Sequence, residues 1–220
     1  MRAGSPAVRA RVPFRTRRGL CRIAVGGPWI RARYDAAMDE EVALYEEGDL
    51  TGRVTGSAPR SRVRALNLPH AATAVMLRDA RGRVYVHRRT ETKDLYPGMH
   101  DVWAGGVVLA GEDPVEAASR ELTEELGVHG CELRDRGVFW YRDEHTSYLA
   151  HSFEALYDPA VHGPVVHQPE EVSAGWWMDW DEFTARLADP EWPFVPDGRV
   201  GVERCLRLME QEERTSDGPQ

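Results

Sequence analysis

Glu121, Glu124 and Glu125 stand at i, i+3 and i+4 with no lysine among them. On a helix, at about 100° per residue, these carboxylates share one arc. Like charges so placed repel, and a helix built only for stability would interleave cations. Clustered carboxylate oxygens are what a hard divalent cation requires, and magnesium takes one or two of them together with substrate phosphates. Such an ion withdraws charge from a phosphate, orients it, and lowers the pKa of a bound water. Arg120 directly precedes the glutamates and Gly105-Gly106 lies upstream, where the backbone can approach an ion closely.

The element that must position these groups has a marked start and stop. Asp113 is a good N-cap, Pro114 suits the first helical position, and Glu116 completes a capping-box pattern. Gly127 fits a left-handed terminator. Val115, Ala118, Leu122 and Leu126 recur at three- and four-residue steps, so the spacing predicts one buried stripe with the acidic arc beside it.

Gly106, Glu112, Arg120, Glu121, Leu122, Glu124, Glu125, Gly127 and Val128 together resemble the Nudix box, Gly-x5-Glu-x7-Arg-Glu-aliphatic-x-Glu-Glu-x-Gly-aliphatic, without departure. The resemblance implies an α/β (α+β) Nudix fold, a mixed β-sheet between helices. It also implies Mg²⁺- or Mn²⁺-dependent hydrolysis of a diphosphate linkage in a small molecule. Glu121 and Glu125 match the metal ligands. Glu124 matches a third ligand or the group that takes the water's proton, a role for which Glu170 or Glu171 in HQPEEV is the alternative. Arg120 matches the residue that orients a box glutamate, with Glu112 its expected partner, and a carbonyl at Gly105 or Gly106 is a further expected ligand.

The preceding stretch, RRTETKDLYPGMHD, resembles the corresponding part of isopentenyl-diphosphate isomerase, a member of the same superfamily. That likeness maps a substrate-diphosphate grip onto Arg89 and Lys93. The isomerase also needs a cysteine acid/base, which aligns with Gly105, and a metal-binding histidine, which aligns with Val107. The isomerase reading therefore fails at its decisive residue and stands only as an alternative, beside a Nudix module that senses a nucleotide without cleaving it. His70 resembles a histidine of that branch and reads as structural. Tyr141, His145 and His151 have no spacing that lifts them above ordinary strand residues. Asp143-Glu144 stand where ADP-ribose-cleaving relatives carry a proline.

Charge and composition narrow the partners. Residues 1–37 hold nine arginines against Asp35 alone, a net of +8, so the remainder, with 19 basic and 35 acidic residues, carries −16. A domain that acidic is poorly suited to nucleic acid, whose binding rests on neutralising phosphates. Among 28 basic residues only Lys93 is lysine. Cys21, Cys131 and Cys205 show no metal spacing and no disulfide framework, which points to a reducing, cytoplasmic setting. No apolar run reaches the length of a membrane span. Homodimers are common among Nudix proteins.

Residues 1–37 read as a basic extension, or as a start assigned upstream of Met38. Residues 38–213 read as the catalytic domain and 214–220 as a loose tail. Within the domain, strands are expected at 71–77, 84–87, 137–141, 147–157 and 174–178, the last with Trp176 and Trp177 in the core. The stretch 39–69 supplies Val42, Leu44, Tyr45 and a Gly/Ser/Arg-rich turn, and 88–103 reads as a loop. Helices are expected at 179–188 and 200–213.

Overall fold

In the computed structural model, which describes residues 39–216, the chain is built on the central strand His70–Asp79 (β3). Its apolar run, Ala71 to Leu77, is nearly continuous, as expected of a strand covered on both faces. Val75 and Leu77 enter one core and Met76 the other. One edge of β3 pairs in parallel with Ser147–Tyr157 (β8), from His70↔Tyr148 to Asp79↔Tyr157. The antiparallel partners of β3 are Glu41–Tyr45 (β1), Trp103–Ala104 (β6) and Val84–Arg89 (β4). Further out, β1 pairs with Val54–Pro59 (β2), and β4 with His100–Asp101 (β5) and Val172–Met178 (β9). Leu133–Arg142 (β7) pairs with β8.

The first of the described helices, Arg60–Leu66 (α1), follows β2 directly and ends at Asn67, in the left-handed region at φ 47°. Pro114–Leu126 (α2) brings Ala118, Leu122 and Leu126 onto Val75, Leu77 and Phe153. A one-turn helix, Pro159–His162 (α3), leads from β8 toward β9. Trp180–Leu187 (α4) and Pro196–Ser216 (α5) supply Phe183 and Val202 to the second core, with Met76, Val84, Trp103 and Phe194. The mixed sheet thus lies between helices, as the expected fold requires. No described helix is long and apolar enough to cross a membrane.

The helix that carries the glutamates forms as its sequence directs. The Asp113 side chain accepts from Val115 N–H at 2.8 Å, and Gly127 takes the left-handed terminating conformation at φ 65°. The expected capping box does not form: Asp113 caps Val115 at the second position rather than Glu116 at the third, and the exposed Glu116 makes no bond back to Asp113. Val115 is 48% exposed and Ala117 takes its place in the buried stripe. At the first turn the helix has not yet reached the sheet.

Other expectations are corrected by tertiary pairing. The stretch 39–69 forms β1, β2 and α1 rather than a turn. Of the loop expected at 88–103, Arg88 and Arg89 end β4, His100–Asp101 form β5, and Trp103 begins β6. The strand expected from Gly137 begins at Leu133, with an irregular register between Asp135 and Val138 where Gly137 has φ 87°. Trp176 is exposed, since neighbours on a strand face opposite ways, while Trp177 is half-buried and stacks on Tyr157. The last helix starts at Pro196 and continues past 213 to Ser216, through part of the segment read as tail. The readings for 1–37 and for 217–220 lie outside the described residues.

Leu122 is the buried contact that seats the glutamate helix on the sheet. Leu122→Ala is expected to cost about 2–5 kcal/mol of stability, read from the urea midpoint of the parent and variant proteins.

Candidate active site

The site begins as a stitch between the Gly-rich loop and β3. Thr73 N–H donates to the Gly106 carbonyl at 2.8 Å, and Val108 N–H to the Ala71 carbonyl at 2.9 Å. The loop therefore runs along β3 as an irregular strand. A Cβ on Gly105 would lie 1.9 Å from the Thr73 carbonyl oxygen. One on Gly106 would lie 2.3 Å from Glu121 Oε1. Both positions are glycine for lack of space, one against a strand and the other against a carboxylate.

On the far side of that backbone lie the two inward glutamates. Glu125 is buried, and Gly105 N–H donates to its Oε2 at 3.2 Å. Burial, reinforced by the neighbouring Glu121, pushes its carboxyl up to about 8, and Lys93 only partly offsets this. Glu121 is also raised, by burial first, although Arg120 opposes the shift. Glu124 points outward, 52% exposed, and touches Arg120 at 3.4 Å. Two of the three predicted carboxylates are thus brought together, and the third lies at the rim.

Arg120 ties the unit. Its guanidinium donates to Glu112 through Nε at 2.8 Å and Nη2 at 3.0 Å, and through Nη1 to Glu121 at 2.7 Å. Nη2 also reaches the Val107 carbonyl at 3.3 Å, while Glu112 Oε2 accepts from Leu109 N–H at 3.0 Å. Burial acts most strongly on Glu112 and in the opposite direction, yet the Arg120 bonds and this amide together hold its carboxyl low. Helix and loop are joined at one fork.

A cleft of about 140 Å³ opens beside Gly105 and Gly106. Arg89 and Lys93, the predicted phosphate grip, both line it. Arg89 donates to the Leu95 carbonyl at 3.1 and 3.3 Å and lies 4.0 Å from Asp101. Lys93 forms an ion pair with Glu171, so one of the two carboxylates in HQPEEV does reach the site, while Glu170 is exposed. Burial, then Arg89, pushes the Lys93 ammonium down to about 8. His70 lines the cleft with its Nδ1 on the Leu68 carbonyl at 2.9 Å.

Sequence reasoning missed several cleft residues. Arg60 and Arg64 sit one turn apart on α1, in SAPRSRVRAL, a segment too short for its periodicity to speak. Asp101 accepts from Val102 and Trp103 N–H, and burial pushes its carboxyl up to about 7. Asp197 accepts from Tyr148 at 2.9 Å, and is likewise raised by burial. Tyr148 and Asp197 belong to elements far apart in the chain, so no local pattern announces them. Asp143, where a proline was sought, accepts from the Tyr96 and Tyr141 hydroxyls and braces the β7–β8 turn.

The donor set suits a magnesium-like ion. Among the described residues no three His, Cys, Asp or Glu side chains are gathered closely enough to hold a metal alone. One buried and one half-buried carboxylate beside an open cleft are what an ion completing its shell with water and phosphate would use. Their raised values also mark negative charge that the protein leaves under-compensated. The Gly106 carbonyl is already engaged by Thr73, which leaves it one lone pair as an expected ligand.

Comparison with known proteins gives consistent results. The model of the NUDIX domain family matches residues 68–198. An uncharacterized Nudix hydrolase, orf19, of Rhodococcus erythropolis is 46% identical, over 74% of this chain and 89% of its own length. The uncharacterized Nudix hydrolase YfcD of Escherichia coli K12 is 41% identical, over 73% and 84% respectively. The crystal structure of DR0079 from Deinococcus radiodurans superposes with a TM-score of 0.62 at 26% identity, covering 76% of this chain and 99% of that one.

The buried carboxyl of Glu125 should make metal-free stability pH-dependent. Between its unfolded value near ~4.3 and about 8, the folded protein binds a proton that the unfolded chain lacks, so stability falls as pH rises. Glu125→Gln removes that proton uptake. In EDTA its melting temperature is expected to gain on the parent's between pH 5 and 8, and a pH-independent difference would contradict the assignment.

Proposed function

The chain belongs to the Nudix hydrolase family, and from that premise we propose that it cleaves a diphosphate linkage in a small nucleotide-type molecule with a divalent cation held by Glu121 and Glu125. Hydrolysis of nucleoside-diphosphate-linked compounds is the chemistry of the family. The observation that carries the assignment to these residues is a buried carboxylate, Glu125, and a half-buried one, Glu121, packed against a side-chain-free loop at the edge of the cleft.

Bound there, Mg²⁺ or Mn²⁺ would neutralise the phosphate oxygens and supply a more acidic water. The protein's own groups do the rest. Arg120 holds Glu121 in place through its fork to Glu112, so it acts as a positioning residue. Arg89 and Lys93 steady the substrate phosphates from the opposite wall. Glu124, at the rim and held only by a 3.4 Å contact to Arg120, is the carboxylate that would take the proton of the attacking water. Glu171 would first have to release Lys93.

The isomerase alternative loses support on steric grounds. Its cysteine would have to occupy Gly105, where any Cβ meets the backbone of β3.

The test is phosphate release from a panel of nucleoside di- and triphosphates, nucleotide sugars, dinucleotides and isopentenyl diphosphate, each with Mg²⁺, Mn²⁺ or EDTA. Cleavage is expected only with metal. Loss of ~3 kcal/mol of charge stabilisation is about a hundredfold in rate, so Glu121→Gln and Glu125→Gln should each fall by at least about that factor. Variants as fast as the parent would refute the reading, and binding without cleavage would favour a sensing module.

A further inference from the structure

Among the described residues, two other than glycine hold a left-handed backbone, Asn67 at φ 47° and Tyr96 at φ 52°. Asparagine tolerates that region, but a bulky tyrosine there is strained and persists only where its surroundings fix it. Both residues are tied to Asp143, in the turn between β7 and β8. Asn67 Nδ2 donates to the Asp143 carbonyl at 3.0 Å, and the Tyr96 hydroxyl donates to the Asp143 carboxylate. That carboxylate also accepts from the Tyr141 hydroxyl at 3.0 Å and from the His145 and Thr146 N–H groups at 2.7 and 2.8 Å. Held by its own turn, Asp143 is a fixed anchor for Tyr96 and so for the loop between β4 and β5.

That loop carries the seat of Arg89. Arg89 Nε and Nη2 donate to the Leu95 carbonyl at 3.3 and 3.1 Å, and Arg89, Leu95 and Tyr96 all line the cleft. The Leu95 carbonyl lies in the rigid peptide plane that enters Tyr96. The angle φ of Tyr96 is the rotation between that plane and the rest of the residue. With the ring anchored at Asp143, φ 52° therefore sets where the carbonyl points. Were Tyr96 to relax to negative φ, the plane would turn and the carbonyl would leave the guanidinium. We propose that Tyr96 is the positioning residue for Arg89. Its bond to Asp143 keeps the peptide between Leu95 and Tyr96 in the strained orientation that seats the guanidinium for the substrate phosphates. This rests on the reading of Arg89 as a phosphate grip.

The test is the affinity for inorganic pyrophosphate, measured by calorimetry with Mg²⁺ on the full chain. A hydrogen bond to a charged group is worth about tenfold or more, so Tyr96→Phe should weaken binding by about that factor. Its residual binding reports that the variant is folded. Tyr141→Phe takes a donor from the same Asp143 oxygen without touching the loop, and should stay within about twofold of the parent. Arg89→Gln tests the grip itself, and the double variant tests the route. If Tyr96 acts through Arg89, adding Tyr96→Phe to Arg89→Gln costs little more, whereas independent losses multiply. Three results overturn the assignment of Tyr96 and leave the grip standing: Arg89→Gln weakens binding while Tyr96→Phe does not, Tyr141→Phe weakens it as much as Tyr96→Phe, or the double variant loses the product of the two factors. If the parent does not bind, or Arg89→Gln binds as well as the parent, the grip falls and the assignment with it.

Discussion

Two carboxylates abut a stretch of backbone that has no side chains, and much of the architecture serves that contact. Glu121 would collide with any side chain at Gly106, and the Thr73 carbonyl with any at Gly105. The loop can lie in this gap only because β3 accepts it as a neighbour, through Thr73 and Ala71. The helix can present its glutamates there only because Leu122 and Leu126 bury its other face on the same strand. One strand therefore sets both walls of the gap. Glu112 and Arg120 close the unit by joining the loop to the helix with a charged fork.

The same economy appears in the electrostatics. Burying Glu125 beside Glu121 is unfavourable without a counter-charge, and the cation that acts on it most strongly, Lys93, is itself half-buried and paired with Glu171. Acid and base are each displaced toward neutrality by desolvation. A phosphate and a divalent ion arriving together would relieve both.

Legibility followed the range of the interactions involved. The cap at Asp113, the stop at Gly127 and the glutamate spacing are local, and the structure reproduces them. Arg89 and Lys93 were named by likeness to a relative, and both line the cleft. Asp101, Tyr148 and Asp197 meet the cleft from separate parts of the chain, and Arg60 and Arg64 from a helix of under two turns, so no local pattern marks any of them. Trp176 and Val115 were misjudged for a simpler reason: an apolar residue does not state which face it occupies, or whether its helix turn has yet reached the sheet.

What the sequence alone determined is the chemistry of one loop and one helix. There, residue type, spacing and capping act within a few turns, where backbone geometry is nearly fixed. It also determined the family, and with it the mixed sheet between helices. Tertiary structure decided which two of three glutamates face inward, because only packing on β3 sets the rotation of that helix. It decided that Glu171 meets Lys93, and that Arg64 lines the cleft with no ion pair among the described residues. Those outcomes depend on contacts between segments tens of residues apart, which local physics cannot encode.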